Sequence, residues 1–453
     1  MARIEKVKYL VIGNSAGGIG ATEAIREVDR QGSLVIISDE PYPAYSRPLI
    51  SGHLAEGYPV ERMLYRSADF YEKNNIRTFL GRKVERLQLD EHTVGLGGRE
   101  RIGWERLLLA TGGVPIIPQV EGIGMRGVFT FTTLEDAKAI DLFLKESVRV
   151  REARAVVIGG GLIGVSVAEA LAKREVGVTI VEMKERILNT ILDEEASAIA
   201  EKAISQSGIK VLIGHSVAEV NDNSTRMGIT DSVTLDDGSR IPCELVIVAI
   251  GVLPRIELVA DDGMMMNRGI VVDRHMATSS PNVYACGDVA EAYDFVYGGN
   301  RLTPIWPNAY IGGRVAGFNM AGVPTEYQGG TAMNSLKYFG LDIVSAGMVS
   351  PPDDSYEVLS SEDDITYRRV ILKDGLVVGM VFVGNIEKSG IVFGLMKNRV
   401  NVDGFKQTLV ASNFGLASLP EEIWRSQLEM PLSASVPVVT PAGQSDEETT
   451  MGE

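Results

Sequence analysis

Ala155-Val156-Val157-Ile158-Gly159-Gly160-Gly161-Leu162-Ile163-Gly164 runs from a short β-prone apolar segment straight into a full G-x-G-x-x-G. Residues 165–173 then read as a helix, and residues 178–182 as a second strand that ends on Glu182. In a dinucleotide-binding βαβ unit the first glycine makes the tight turn and the second lets the backbone approach a pyrophosphate. The third lets helix pack on strand, and an acid about 20 residues further on accepts from ribose hydroxyls. Gly159, Gly161 and Gly164 fill the three glycine positions, Leu162 and Ile163 lie between them, and Glu182 is placed as the acid. A carboxylate there also repels a 2′-phosphate, which favours NAD over NADP. Lys184 and Arg186 follow at once, either softening that preference or standing as solvated charges.

Working outward, a second copy of the pattern opens the chain. Residues 9–12 are apolar, Gly13-Asn14-Ser15-Ala16-Gly17-Gly18 follows, and residues 19–28 read as a helix. Gly13 and Gly18 take the outer positions, while Ser15 stands where the middle glycine is expected. A strand over residues 34–38 ends in Asp39-Glu40, at the distance where an acid meets a ribose. The letters of residues 13–17 also spell the G-x-S-x-G elbow of a hydrolase nucleophile, which would need a downstream acid and histidine. Such an elbow normally lies well inside its sheet, not on the first strand. Two glycine turns, each in register with strand, helix and acid, predict two bound dinucleotides.

At 453 residues the chain calls for several domains, and 45% hydrophobic with 23% charged residues is the balance of a folded protein. The apolar stretches fall well short of the roughly 20 residues of a membrane span. The first residues carry mixed charge and no leader pattern. We therefore expect a cytoplasmic protein. A net charge of -16 argues against nucleic acid and anionic lipid as partners. The two cysteines, Cys243 and Cys286, form no CxxC, so redox chemistry has to come from a bound cofactor and no metal site is expected. His92, His215 and His275 are scattered without metal-ligand spacing, and the run Met264-Met265-Met266 reads as loop or packing.

Further motifs complete a pattern: Tyr45-Ser46-Arg47-Pro48-Leu49, Ala110-Thr111-Gly112, Ala249-Ile250-Gly251 with Pro254, and TSSPNVYACGD over residues 278–288. With the two glycine turns, these make the chain resemble, over residues 5–325, the pyridine-nucleotide oxidoreductases that include rubredoxin and ferredoxin reductases. The resemblance implies an α/β fold of two Rossmann-like dinucleotide-binding domains plus a small C-terminal α+β domain. FAD would be held by residues 1–121 and 250–324, with an NAD-binding domain, 122–249, inserted between them. Residues 325–429 would form an interface domain and 430–453 a disordered tail. FAD-binding candidates are then Gly13, Asn14, Ser15, Ala16, Gly17, Gly18, Asp39, Glu40, Arg47, Pro48, Ala110, Thr111, Gly112, Gly287, Asp288 and Trp306. NAD(H)-binding candidates are Gly159, Gly161, Leu162, Ile163, Gly164, Glu182, Ile250 and Gly251. Asp288 resembles the acceptor of ribityl hydroxyls, delivered by a strand to a helix start, where an N-cap role is the alternative. Arg47 would counter pyrophosphate charge, and residues 306–309 would pass the flavin's pyrimidine side.

Departures from the pattern narrow the chemistry. The disulfide reductases and peroxidases of this superfamily keep a cysteine beside the flavin, in the segment that here reads 44–54 without one. That removes thiol-disulfide and sulfenic acid chemistry. Cys286 reads as small packing. In many relatives a glutamate two residues past the second turn approaches the nicotinamide, and here that residue is Ser166. No catalytic acid or base is certain; His53 is a candidate to assist a proton, with a structural role as the alternative. In the C-terminal third, residues 367–372 and 376–383 around Asp374-Gly375 predict a hairpin, and residues 389–396 a helix serving as core or interface.

The resulting expectation is an enzyme exchanging hydride with NAD(H) on FAD and single electrons with an iron-sulfur or rubredoxin-like protein. The sequence is also similar to flavin-NAD oxidoreductases that accompany carbon monoxide dehydrogenases, and a homodimer fits the same families. The rival expectations are an NADH oxidase or quinone or small-molecule reductase, and an NAD-sensing assembly protein.

Overall fold

The computed structural model describes residues 5–98, 100–147, 153–222, 228–260, 263–363 and 366–429. The tail expected at 430–453 lies outside the described residues. The strand Glu5–Ile12 is central to the first sheet, flanked in parallel by Leu34–Ser38 and Arg101–Leu109, with Val11 in register with both Ile36 and Leu108. Ile76–Leu80 extends this sheet beyond Leu34–Ser38. Val283–Ala285, from much later in the chain, joins it in parallel against Arg101–Leu109. The stretches 9–12, 34–37 and 107–109 of these strands are buried on both faces, which is why they read as unbroken apolar runs instead of alternating.

The second sheet is all parallel, in the order Lys210–Ile213, Gly177–Glu182, Arg154–Ile158, Leu245–Val248, Val128–Thr130. The chain enters it along Gly113–Pro115 and leaves along Val252–Pro254, and these two crossings pair as an antiparallel ribbon. The third sheet is antiparallel, in the order Met333–Tyr338, Leu341–Gly347, Leu376–Val383, Tyr367–Lys373, Glu357–Glu362. Its expected hairpin is present, with Asp374 and Gly375 at φ of 52° and 73° in the turn. The helix Ser389–Lys397 buries Val392, Leu395 and Met396 against this sheet and so serves as core.

Two helices bring the ends of the first unit together. A Cβ on Gly313, in Trp306–Met320, would fall 2.1 Å from the Gly17 carbonyl oxygen, and one on Gly20, in Ala16–Val28, 2.4 Å from that of Tyr310. Backbone therefore lies on backbone, and no side chain fits between. A separate apolar cluster crosses all three units: it joins Tyr45, Ile50 and Leu54 to Val165, Leu171 and Ile247, and to Ile343, Tyr367, Val381 and Val383 of the third sheet.

Candidate functional site

Both glycine turns are built alike. Gly13 has a φ of 118° and a Cβ there would meet the Ala110 carbonyl oxygen at 2.0 Å; Gly159 has a φ of 109° and its Cβ would meet that of Ala249 at 2.5 Å. A Cβ on Gly18 would lie 2.0 Å from the Gly13 oxygen, and one on Gly164 1.9 Å from the Gly159 oxygen. At Gly161, by contrast, a Cβ meets nothing within 4 Å. Smallness at the middle position thus serves something outside the protein's own packing, and Ser15, at the matching position, is tolerated by the fold.

The helices that follow, Ala16–Val28 and Leu162–Ala172, carry no acidic residue in the first turn, and neither Ser15 nor Gly161 makes a side-chain cap. Their N-terminal N–H groups and positive dipole ends are left for an anion. Elsewhere the protein spends acids on that position: Asp193 caps the helix Glu194–Gln206, whose first turn adds Glu194 and Glu195. Both turns fit a pyrophosphate. The helices begin at residues 16 and 162, earlier than the sequence reading placed them, because the turns themselves supply the first helical residues.

Around the first turn, Asn14 accepts from the Tyr71 hydroxyl at 2.8 Å and donates to the Tyr42 carbonyl at 3.2 Å. Ala16, Gly17 and Gly18 are buried. Asp39 is exposed and paired with Arg255 at 2.6 Å. Arg255 in turn holds the small-residue segment, its carbonyl accepting from Thr111 Oγ1 and its N–H donating to Gly112, each at 2.9 Å. Ala110 closes against Gly13. Glu40 is joined to Arg47 and to the Tyr45 hydroxyl, while Arg47 also donates to the Thr132 carbonyl at 2.9 Å. Pro48 opens the exposed side of the same short helical turn. Burial works against the Arg47 charge, yet Tyr45, Glu40 and Asp288 outweigh it and hold the guanidinium above its ordinary pKa.

Asp288 makes no hydrogen bond to any described residue, although burial pushes its carboxyl above the ordinary range and only Arg47 pulls it back. A half-buried acid with a cationic neighbour and no donor has its acceptor positions free for the hydroxyls of a bound group. Its setting corrects one expectation: Gly287–Val289 is a short 3-10 turn capped by Cys286 and followed by the strand Ala290–Asp294, not a helix start. Cys286 is fully buried against Gly17, and burial pushes its thiol up to about 12, which suits packing and not nucleophilic work. Trp306 begins a helix and meets the Tyr65 ring edge to face at 4.9 Å.

At the second turn, Glu182 is buried, with one oxygen accepting from the Gly160 N–H at 2.6 Å and the other from Lys184 N–H at 2.8 Å. Ile250 is exposed at the end of Leu245–Val248, and Gly251 turns the chain into the ribbon. Leu162 and Ile163 are half-buried beside the turn. His53 lies in the helix Ile50–Glu56 with Nδ1 2.6 Å from the Tyr58 carbonyl oxygen. His92 stacks on Trp104, and His275 Nδ1 is 3.0 Å from the Thr325 carbonyl oxygen. No described histidine is therefore hydrogen-bonded to Ser15, as a hydrolase elbow would require. Sequence spacing missed one convergence: His215 meets Asp236 and Asp237 on the exposed edge of the second unit, brought there by strand pairing. Among the described residues no helix is long and apolar enough to cross a membrane.

A family model described as pyridine nucleotide-disulphide oxidoreductase matches residues 7–313, and one described as the rubredoxin NAD+ reductase C-terminal domain matches residues 333–400. The chain is 30% identical over 429 residues to the NADH-dependent phenylglyoxylate dehydrogenase subunit epsilon of Aromatoleum evansii, covering 93% of this chain and 99% of that one. It is 29% identical over 400 residues to the assimilatory nitrate reductase electron transfer subunit of Bacillus subtilis, covering 87% of this chain and 50% of that longer protein. Among solved structures, NADH:rubredoxin oxidoreductase from Clostridium acetobutylicum superposes with a TM-score of 0.71 at 25% identity, over 88% of this chain and 97% of that one.

Proposed function

Because the chain belongs to the pyridine nucleotide-disulphide oxidoreductase family, we propose that it exchanges hydride with NAD(H) on bound FAD and trades single electrons with an iron-sulfur or rubredoxin-like protein. The observation that carries this reading is the pair of similarly built glycine turns, each at the end of a parallel-paired strand of its own sheet, joined by the ribbon of Gly113–Pro115 and Val252–Pro254. FAD, once bound, supplies a centre that takes two electrons as hydride and releases them one at a time. Hydride transfer asks for alignment, not for an acid or base, so the work of this chain's residues is holding. Residues 13–18 and the N-terminus of Ala16–Val28 take the FAD pyrophosphate, Asp288 the ribityl hydroxyls, and Arg47 the neighbouring negative charge. Residues 159–164 and Glu182 take the NAD pyrophosphate and ribose. Glu182 comes pre-oriented by Gly160 and Lys184, and its charge favours NAD over NADP.

The division into an FAD domain of residues 1–121 and 250–324, an NAD domain of 122–249 and an interface domain of 325–429 belongs to the same proposal. Two copies would pair through the third domain. The name of the Aromatoleum relative supports a place as the NAD-coupled subunit of a larger enzyme, and a carbon monoxide dehydrogenase is one candidate. Two free, buried cysteines suit a reducing cytoplasm.

The deciding experiment is anaerobic stopped-flow mixing of the FAD-loaded protein with NADH or NADPH, followed by oxidised rubredoxin or ferredoxin. We expect fast bleaching by NADH, slower bleaching by NADPH, and reoxidation by the iron protein. No bleaching by NADH overturns the reading; bleaching with reoxidation only by oxygen or a quinone replaces the protein acceptor by a small one.

A further inference from the structure

The two glycine turns superimpose residue by residue. Gly13 N–H donates to the Ile37 carbonyl and Gly159 N–H to the Val181 carbonyl, each at 2.8 Å, so Ser38 stands where the second turn has Glu182. Ser38 is half-buried, and its hydroxyl accepts from the Glu40 N–H at 3.2 Å. The first turn thus carries a neutral hydroxyl at the register where the second carries an acid. Asp39 lies one residue outside that register, and its carboxylate is joined to Arg255 at 2.6 Å.

Arg255 reaches Asp39 from the far side of the turn. The strands there lie in the order Leu34–Ser38, Glu5–Ile12, Arg101–Leu109. Asp39 follows the first of them, while the backbone of Arg255 is bonded to Thr111 and Gly112, which follow the last. The ion pair therefore spans the carboxyl end of the middle strand, where the chain turns at Gly13, a crossing of two strand spacings or about 10 Å. In open α/β sheets that end is the crevice where ligands lie. A Cβ on Gly112, at φ of 72°, would meet nothing within 4 Å, so the crossing has clear space at its Arg255 end.

The second turn is built without such a crossing. At one end of the ribbon the Arg255 N–H donates to the Gly112 carbonyl at 2.9 Å, and at the other the Ile116 N–H donates to the Gly251 carbonyl at 3.0 Å. Ile116 thus takes the place of Arg255 and brings no charge, and Glu182 is held by the Gly160 and Lys184 N–H groups. The side chains of Arg255 and Asp39 are 31% and 40% exposed. An ion pair so open to water holds little on its own, and it strengthens when a bound group shields it. That suits a fastening that closes over a ligand better than a strut of the fold.

We propose that Asp39 and Arg255 form an ionic clasp that retains FAD at the first turn, a role that rests on reading residues 13–18 as the FAD turn. The pair opens to admit the cofactor and re-forms across its diphosphate portion, so release requires breaking the pair in shielded surroundings. The second turn, with Ile116 in the matching place, exchanges its nucleotide freely. One turn keeps a resident cofactor and the other serves a passing substrate.

The test is the rate of FAD release from the loaded full chain, followed by flavin fluorescence after rapid dilution. It compares the wild type, Arg255→Met, Asp39→Asn and the reversed pair Asp39→Arg with Arg255→Asp. We expect each single variant to release FAD about tenfold faster, and the reversed pair to return to within about threefold of the wild type. Added salt should speed release from the wild type and the reversed pair but not from the single variants. NAD+ affinity, measured by calorimetry, should be the same in all four. Unchanged release in the single variants overturns the proposal, as does a parallel loss of NAD+ affinity. A reversed pair as leaky as the single variants also overturns it, because that is the result expected if Asp39 accepts directly from a ribose. Should a single variant fail to load FAD, the reversed pair decides by loading it and releasing it slowly, or not. Bleaching by NADH is recorded on the same wild-type sample: the expected release rates without bleaching remove the proposed reaction and leave the clasp standing, whereas a wild type that never loads FAD removes both.

Discussion

Gly159 and Gly161 lie two residues apart and answer to different masters. A Cβ at Gly159 collides with the Ala249 backbone, in a conformation side chains avoid, whereas one at Gly161 enters open space. Gly159→Ala should therefore cost roughly 2 kcal/mol or more of stability, read as a lowered Tm. Gly161→Ala should leave Tm within the scatter of surface substitutions and instead weaken NAD+ binding, read by calorimetry. Equal loss of stability in both variants would contradict the distinction. The same contrast explains how the fold accepts Ser15 in place of a glycine in the first turn: at the matching Gly161 a Cβ meets nothing in the protein, whereas at the outer positions it collides with backbone.

At the scale of elements, the third unit is fastened to the second by Asp193. One of its oxygens caps the helix Glu194–Gln206 through the Ala196 N–H at 3.1 Å, while the other accepts from the Tyr367 hydroxyl at 2.5 Å and Arg369 at 2.7 Å. Asp193 is almost wholly buried, so Asp193→Ala strands a half-buried guanidinium with only the more distant Glu195, and should cost roughly 3 kcal/mol. Denaturant titration would measure it, and a loss under 1 kcal/mol would refute the clamp. Turn chemistry was legible in the sequence because its requirements are written in adjacent residues: Gly13 to Gly18, Gly159 to Gly164, and Asp374-Gly375. The clamp was not, since Tyr367 and Asp193 are 174 residues apart and neither breaks a local pattern. The setting of Asp288 was misread for a related reason. The strand after it, Ala290–Asp294, is specified by pairing with Ile270–Val271 and Gly299–Arg301, not by its own residues. Candidate Glu40 was legible as an acid at the right distance, but its engagement with Arg47 and Tyr45 came only from the fold.

For the molecule as a whole, the shared apolar cluster argues against independent units. Tyr45, Ile50 and Leu54 of the first, most of the second, and Ile343, Tyr367, Val381 and Val383 of the third lose their cover together. Scanning calorimetry of the FAD-free protein should show the second and third units melting in one transition; two resolved transitions for them would contradict a common core. The glycine contacts between Ala16–Val28 and Trp306–Met320 reach further than stability. Gly17 lies on Gly313 and Gly20 on Tyr310, so backing the first nucleotide turn asks the chain to close a very long loop. The second turn is closed by the nearer Ala249, but its helix shares its cover with the third unit.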